Sequence, residues 1–381
     1  MILVSNDFPP KVGGIQNYLF ELWSRLPLTN TKVITTKYDG DKAFDANLDF
    51  AVDRYSKILW PTPKLIKHVN ATINEFKSDV VFIDPLLPTG LITSKIKGAS
   101  KISIIHGAEV TVPGRLLPSR VLIRKSVQDS DVILSAGNYA ARELVRAIGR
   151  PINMVRIPPG VDIHNFYVPS DDQKVQAKES IVSELGLEKD SRILVSMSRL
   201  VPRKGFDVAI KSLAGLEQNV HLIIIGKGRD LKRLQGLVEK LGLQKRVHFL
   251  GSVSHQKMLS VLHSADLFLM LCRDRWASLE AEGFGIVFLE AQSCGLPVIV
   301  GRSGGSSESL IDEKTGFLVD SESPTEIREK INKILSDDKL SKEFSAAGRA
   351  FVEKEHSYDY LATLLLPLVN GDLSSAKNFD G

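Results

Sequence analysis

Two cysteines in 381 residues leave little sulfur chemistry to consider. Cys272 and Cys294 form no CxxC pair, and no Cys/His spacing of a zinc or iron–sulfur site occurs. Both sit in apolar surroundings and read as buried small hydrophobes, a usage that suits a reducing compartment. Long hydrophobic runs are missing too: none approaches the roughly 18 apolar residues of a membrane span. The opening MILVSNDFPP turns polar after a few residues and does not read as a secretory signal. The expected location is therefore the cytoplasm, with any membrane contact peripheral, on the inner face. An excess of one charge is also lacking. Lys and Arg number 49 against 45 Asp and Glu, a net charge of +4, so nucleic acid is not an expected partner. What remains, 43% hydrophobic and 25% charged residues, is the composition of a soluble globular chain long enough for two domains.

Short apolar runs alternate with amphipathic segments throughout. MILVS, TKVITT, VVFID, KISIIHG and DVILSAG mark the first half. RILVSMSRL, NVHLIIIGKG, RVHFLGSV, ADLFLML, PVIVG and GFLV mark the second. Between them Ile15, Tyr18, Leu19, Leu22, Trp23 and Leu26 recur at helical spacing, as do residues of DVAIKSLAGL and DLKRLQGLVEKLGL. Strands apolar on both faces and separated by helices predict an α/β fold with parallel sheets. The pattern occurs twice, around a Pro-, Asp- and Ser-rich break at 158–174. Two doubly wound, Rossmann-like domains facing across a cleft are expected, 1–165 and 166–355, with a helical tail at 356–381.

Ligands of such domains bind at the carboxyl ends of the strands, so motifs just after strands carry the functional weight. Gly13 and Gly14 lie between a strand and a helix, as a phosphate contact or as a tight turn. Arg199, Arg203 and Lys204 follow the first strand of the second half, where cations suit a diphosphate, though a solvated charge run has the same appearance. GKG at 226–228 lacks the third glycine of a dinucleotide fingerprint and reads as a close backbone turn. Glu282 and Glu290 stand eight residues apart around a glycine loop. A continuous helix would rotate them ~80° off one face, so a loop Glu282 and a helical Glu290 would hold distant points of one elongated ligand. Free amides at the helix start would offer an anion site between them. Polyols at both ends with phosphate between describe a nucleotide-sugar. His106 ends a strand and could donate to a sugar hydroxyl or serve the fold alone. Trp60 among Lys57, Lys64 and Lys67, and the stretch Arg115–Lys125 with Val121 and Ile123, read as a membrane-surface patch or as ordinary amphipathic helices.

The E-x7-E of Glu282 and Glu290, the SRLVPRKG segment and the GGIQ loop together resemble retaining glycosyltransferases of family 4 with the GT-B fold, over essentially the whole chain. NDFPPKVGGIQNYL, EGFGIVFLEAQSCGLPVI and SGGSSES are most similar to the branch that moves mannose from GDP-mannose to a phosphatidylinositol mannoside. The resemblance implies an α-mannosyltransferase with a nucleotide-sugar donor and a glycolipid acceptor, needing no metal or other cofactor. The first domain would serve the acceptor, the second would hold the donor, and the tail would cross back to the first. By resemblance, the Gly14 amide would contact the distal phosphate, and Arg199 and Lys204 would hold the diphosphate. Glu290 would bind the ribose. Glu282, His106 and the amides of Phe284, Gly285 and Ile286 would bind the transferred sugar, and Val253 would border the base. One departure is the loop before Glu282, which carries Arg275 and Trp276 where members of the branch tend to have glycines. Competing expectations are a transferase using a UDP-sugar, a non-catalytic sugar-nucleotide sensor, and, against the missing glycine, an oxidoreductase.

Overall fold

The computed structural model describes residues 1–27 and 31–381. The chain divides into two compact units, one of Met1–Gly160 with Tyr358–Gly381 and the other of Val161–Ser357. In the first unit the runs form β1 (Ile2–Ser5), β2 (Lys32–Thr36), β3 (Ala51–Ser56), β4 (Val80–Asp84), β5 (Ser100–Ile105), β6 (Val132–Ser135) and β7 (Ile152–Arg156). They pair in parallel in the order β7-β6-β5-β4-β1-β2-β3. Alternation along the strands feeds two apolar layers. Leu3, Phe82, Ile102, Ile104 and Leu134 face one, and Ile2, Val4, Val81 and Ile83 face another. The helices Gly14–Trp23 and Tyr358–Val369 cover the first layer. Tyr18, Leu19, Leu22 and Trp23 of one pack in the same core as Leu361, Leu365 and Leu368 of the other.

The second unit repeats the scheme with β8 (Arg192–Met197), β9 (Val220–Ile225), β10 (Val247–Gly251), β11 (Leu267–Met270), β12 (Val298–Gly301) and β13 (Gly316–Val319). Their order is β10-β9-β8-β11-β12-β13, all parallel. Ile193, Val195 and Met197 point to one core, Leu194, Leu222 and Ile224 to the other. The unit closes where Val161 N–H donates to the His356 carbonyl at 2.9 Å. The last residues return to the first sheet as β14 (Lys377–Phe379), antiparallel to β7.

In both sheets the strand order reverses once, at β1 beside β4 and at β8 beside β11. Connections on either side of such a point run to opposite faces, which leaves a crevice at the carboxyl ends of the two strands. The loops after β1, β4, β8 and β11 are thereby placed where a ligand can reach backbone and side chains together. Among the described residues no helix is long and apolar enough to cross a membrane.

Candidate functional site

In the second unit the site begins with the loop after β8. Arg199 is exposed at its start. Pro202–Lys204 makes a single 3-10 turn, and Gly205 starts the helix Phe206–Leu213. The turn aims Lys204 inward, with Nζ 2.6 Å from Glu282 Oε2 and both side chains 8% exposed. The two residues are 78 positions apart in the chain and meet because β8 and β11 are neighbours. Arg273 binds the two loops together. Its N–H donates to the Arg203 carbonyl at 2.9 Å and its guanidinium reaches both oxygens of Asp207 at 3.0–3.1 Å. The Arg203 side chain lies close enough to influence Glu282, while its buried Nε has no hydrogen-bond partner among the described residues.

Glu282 is fixed through its backbone. Its N–H donates to Ser303 Oγ at 3.0 Å, and its carbonyl accepts from the Gly305 N–H at 2.8 Å. Gly304 must be glycine here: its φ is +48°, and a Cβ would stand 2.3 Å from the Glu282 carbonyl oxygen. The SGG segment is thus a cradle for the glutamate. Burial alone would raise the Glu282 carboxyl, but the Lys204 ammonium, aided by Arg203, outweighs it and holds the group below the usual carboxylate range. The Cys272 thiol donates to the same Oε2 at 3.5 Å. Burial, with Glu282 beside it, pushes that thiol strongly up, so it is a neutral donor and no nucleophile.

Glu290 lies elsewhere, on the helix Ile286–Ser293, whose N-cap is Gly285. Burial pushes its carboxyl up to about 7. Among the described residues this carboxyl has no hydrogen-bond or ion-pair partner, while the main-chain carbonyl of Glu290 accepts from the Cys294 N–H at 3.1 Å. A partly buried carboxyl without a counter-charge, one turn into a helix whose Ile286 and Val287 amides have no partner among the described residues, is poised to accept from hydroxyls. Phe284 offers only its backbone, because its ring packs in the core against His356, with centroids 5.5 Å apart. Ile286 is the first helical residue and half-buried. Val253, after β10, packs partly buried on the same core, and the neighbouring Ser254 caps the next helix by accepting from the Lys257 N–H at 3.2 Å. The GKG turn packs two loops together: a Cβ on Gly228 would meet the Leu200 carbonyl oxygen at 2.1 Å.

The first unit holds its own polar cluster. Gly14 opens the helix Gly14–Trp23 with its backbone exposed. Gln16 and Lys11 both bind Asp7 Oδ1, at 2.5 and 2.6 Å. His106 follows β5, with Nε2 2.6 Å from Asp84 Oδ1. Local pattern marks His106 but not Asp84, Ser5 or Asp7. The same pattern makes Cys272 a packing residue and singles out neither Asp207 nor Ser303. The available signal was a carboxylate at the end of VVFID, a position that marks ligand contacts as well as any cation does.

Loop 275–280 is closed by Arg275 and Glu280, which pair through their backbones and through Nη1–Oε2 at 2.8 Å. Trp276 stands 63% exposed at its tip, with the Arg275 guanidinium 4.6 Å from the ring centre. In the first unit, Trp60 is 59%, Leu117 75% and Val121 62% exposed, and Arg124 and Lys125 are exposed beside them in sequence. Ile123, expected in this patch, is buried in the core instead, because it falls on the opposite side of the helix Leu117–Gln128. Arg120 is also engaged, its Nε donating to the Gly114 carbonyl at 2.7 Å.

Residues 177–351 match the family model "Glycosyl transferases group 1". A GDP-mannose-dependent monoacylated alpha-(1-6)-phosphatidylinositol monomannoside mannosyltransferase of Corynebacterium glutamicum is 33% identical over 383 residues, spanning 97% of this chain and 98% of its own. The GDP-mannose-dependent alpha-(1-6)-phosphatidylinositol monomannoside mannosyltransferase of Mycolicibacterium smegmatis is similar to the same extent, 33% over 97% and 98%. Among solved structures, Anabaena Alr3699/HepE in complex with UDP superposes with a TM-score of 0.80 at 20% identity, over 97% of this chain and 99% of that one.

Proposed function

The chain belongs to the group 1 glycosyl transferases, hexosyltransferases of the GT-B fold, and from that we propose that it transfers mannose from GDP-mannose to a phosphatidylinositol mannoside with retention, forming an α linkage. The observation that carries the reading is the buried Lys204–Glu282 pair at the strand-order reversal of the second sheet, in a chain alignable end to end with enzymes of that name. The second unit holds the donor. Arg199 and Lys204 bind the diphosphate, Glu290 the ribose, and the base lies at Val253. Glu282 takes hydroxyls of the mannose, with the amides at Phe284, Gly285 and Ile286 alongside. Before the donor arrives, Lys204 and Glu282 neutralise each other. The diphosphate then takes over the ammonium, and the sugar takes over the carboxylate.

In the transfer, the bond from the anomeric carbon to the diphosphate oxygen breaks through an oxocarbenium-like state. The acceptor hydroxyl oxygen bonds to that carbon from the same face, and its proton passes to the departing phosphate oxygen. Charge grows on the diphosphate, so cations and helix amides aimed at it give the largest stabilisation. A pair of carboxylates acting as in retaining hydrolases would stand ~5–5.5 Å apart. Glu282, held by Lys204 in a loop, and Glu290, alone on a helix, have instead two different tasks. The reaction as proposed uses no metal. Incubation of the purified protein with GDP-mannose, UDP-glucose or UDP-N-acetylglucosamine and a phosphatidylinositol mannoside is expected to give a product one hexose heavier from GDP-mannose alone. Turnover of a UDP-sugar in its place would overturn the donor assignment, and tight donor binding without any product would make the protein a sensor.

The acceptor is a lipid, and the proposed place of action is the inner membrane surface, reached from the cytoplasm. Leu117 and Val121, one helical turn apart, would enter the interface with Arg124 and Lys125 on anionic headgroups, and Trp60 would anchor beside Lys57 and Lys64. Leu117→Asp with Val121→Asp is expected to abolish sedimentation with phosphatidylinositol-containing vesicles while leaving GDP affinity intact. Unchanged sedimentation would remove the patch from the account.

A further inference from the structure

Ser5 and Asp84 are register partners on the adjacent strands β1 and β4, at their carboxyl ends, and both are fully buried. Ser5 Oγ donates to Asp84 Oδ2 at 2.6 Å and accepts from the Asp7 N–H at 2.8 Å. The other oxygen, Oδ1, meets His106 Nε2 at 2.6 Å. Among the described residues each oxygen of this buried carboxylate therefore has one hydrogen-bond partner, and of the two the imidazole is the one that can balance its charge. The ring has little freedom to turn. Tyr18 abuts it edge-on, with centroids 5.7 Å apart and planes at 88°, and the backbone N–H of His106 donates to the Glu109 carboxylate, which fixes the main chain from which the ring projects. Among the described residues no hydrogen bond involves Nδ1, the ring nitrogen with bonding capacity to spare.

We propose that Asp84 is a positioning residue for sugar transfer: held by Ser5, it binds His106 through Nε2 so that the ring meets the transferred sugar with its Nδ1–H. The inference rests on the reading that His106 touches the sugar, and it adds which atom does so and what holds it. Without Asp84 a neutral imidazole could carry its proton on either nitrogen. With Asp84, Nε2 keeps a proton and Nδ1–H remains as donor while the ring is charged. Burial alone would lower the imidazole pKa, but Asp84, followed by Glu109 after β5 and Asp7 after β1, raises it overall. Tyr18, the titratable group on the helix packed against the ring, is pushed well up by burial and stays neutral. The contribution of the charged pair is thus complete below the ordinary histidine pKa of about 6.5 and fades as pH rises through the elevated value.

The test uses the full chain. Asp84→Asn, nearly isosteric, is expected to lower kcat with GDP-mannose by about tenfold or more and to shift the alkaline limb of the pH profile to lower pH. Ser5→Ala should move both in the same direction by less, and His106→Gln should abolish that limb. In unaltered protein labelled with 15N-histidine, the His106 resonance, assigned by its loss in His106→Gln, should titrate above about 6.5 and keep its proton on Nε2. A folded Asp84→Asn protein with unchanged kcat and pH profile overturns the role of Asp84 while leaving the His106 contact standing, and wild-type kinetics in His106→Gln overturn both. The titration needs no substrate and is informative even if Asp84→Asn fails to fold or the donor is not GDP-mannose. A midpoint below that of ordinary histidine would overturn the inference.

Discussion

Lys204→Ala is expected to lower kcat by about a hundredfold or more, because it removes a cation aimed at charge that grows on the departing diphosphate. A second effect comes from its partner. The pair is 8% exposed on both sides, and deleting one member of a buried pair leaves an uncompensated charge that costs about 3–5 kcal/mol. Glu282 would relieve part of this cost by taking up a proton, since Lys204 is the main influence holding its carboxyl low. The two losses separate in a double variant. Lys204→Ala with Glu282→Gln leaves no buried charge at the pair, so it should regain most of the lost stability and none of the activity. Thermal melts and single-turnover rates on the two single variants and the double provide the cycle. If Lys204→Ala turned over at the wild-type rate, the diphosphate would have to be held elsewhere. If the double variant recovered no stability, the ion pair would not be what the fold depends on at this point.

Glu290→Gln should make the protein more stable and a poorer binder of its donor. The Glu290 carboxyl is pushed up to about 7 by burial, so the folded chain holds this proton to higher pH than the unfolded chain does. Stability at this group is therefore full at acid pH, falls as pH rises from about 4.3 toward 7, and stays reduced above. Glutamine cannot ionise. Its benefit should be small, about 1 kcal/mol, at pH 5 and larger, on the order of 3 kcal/mol, at pH 8. The ribose, however, needs an acceptor. Losing a charge-assisted bond should weaken GDP binding at pH 8 by about tenfold to a hundredfold, and the wild type should itself bind GDP more weakly as pH falls below about 7. Calorimetric titration with GDP at the two pH values, beside melts at the same pH, reads both effects. Stabilisation without loss of GDP affinity would show that Glu290 is merely a buried acid and does not touch the nucleotide.

Such effects depend on pairings that local pattern could not reveal. The interior strands were legible because burial on both faces makes them continuous apolar runs, as in VVFID and HLIII. The sheet borders were not. β3 reads AVDRYS with no fully buried residue, β7 reads INMVR with two exposed ones, and β14 is the tripeptide KNF at the chain end. An edge strand is identified by the neighbour it pairs with, and composition does not record that neighbour. The helical tail expected at 356–381 likewise ends in a strand only because β7 has a free edge to receive it.

The candidate site divides along the same line. Strand-to-helix loops rich in glycine and charge announce themselves within a dozen residues, so Gly14, Arg199, Lys204, Glu282 and Glu290 could be named from the chain alone. The charge state of each could not. Whether Glu282 is ionised depends on Lys204, 78 residues away. Glu290 has no such partner among the described residues, and so the same residue type, eight positions on, is pushed in the opposite direction by burial. Sequence periodicity determined that this chain makes two parallel sheets and which loops lie at their carboxyl ends, because hydrophobic burial follows local repeats. The order of strands in those sheets decided which loops are neighbours, and with it that Lys204 faces Glu282 and that Ser5 and Asp84 stand side by side beneath His106. Electrostatic partners are chosen by proximity in space, and for parallel strands that proximity is set only when the sheet assembles.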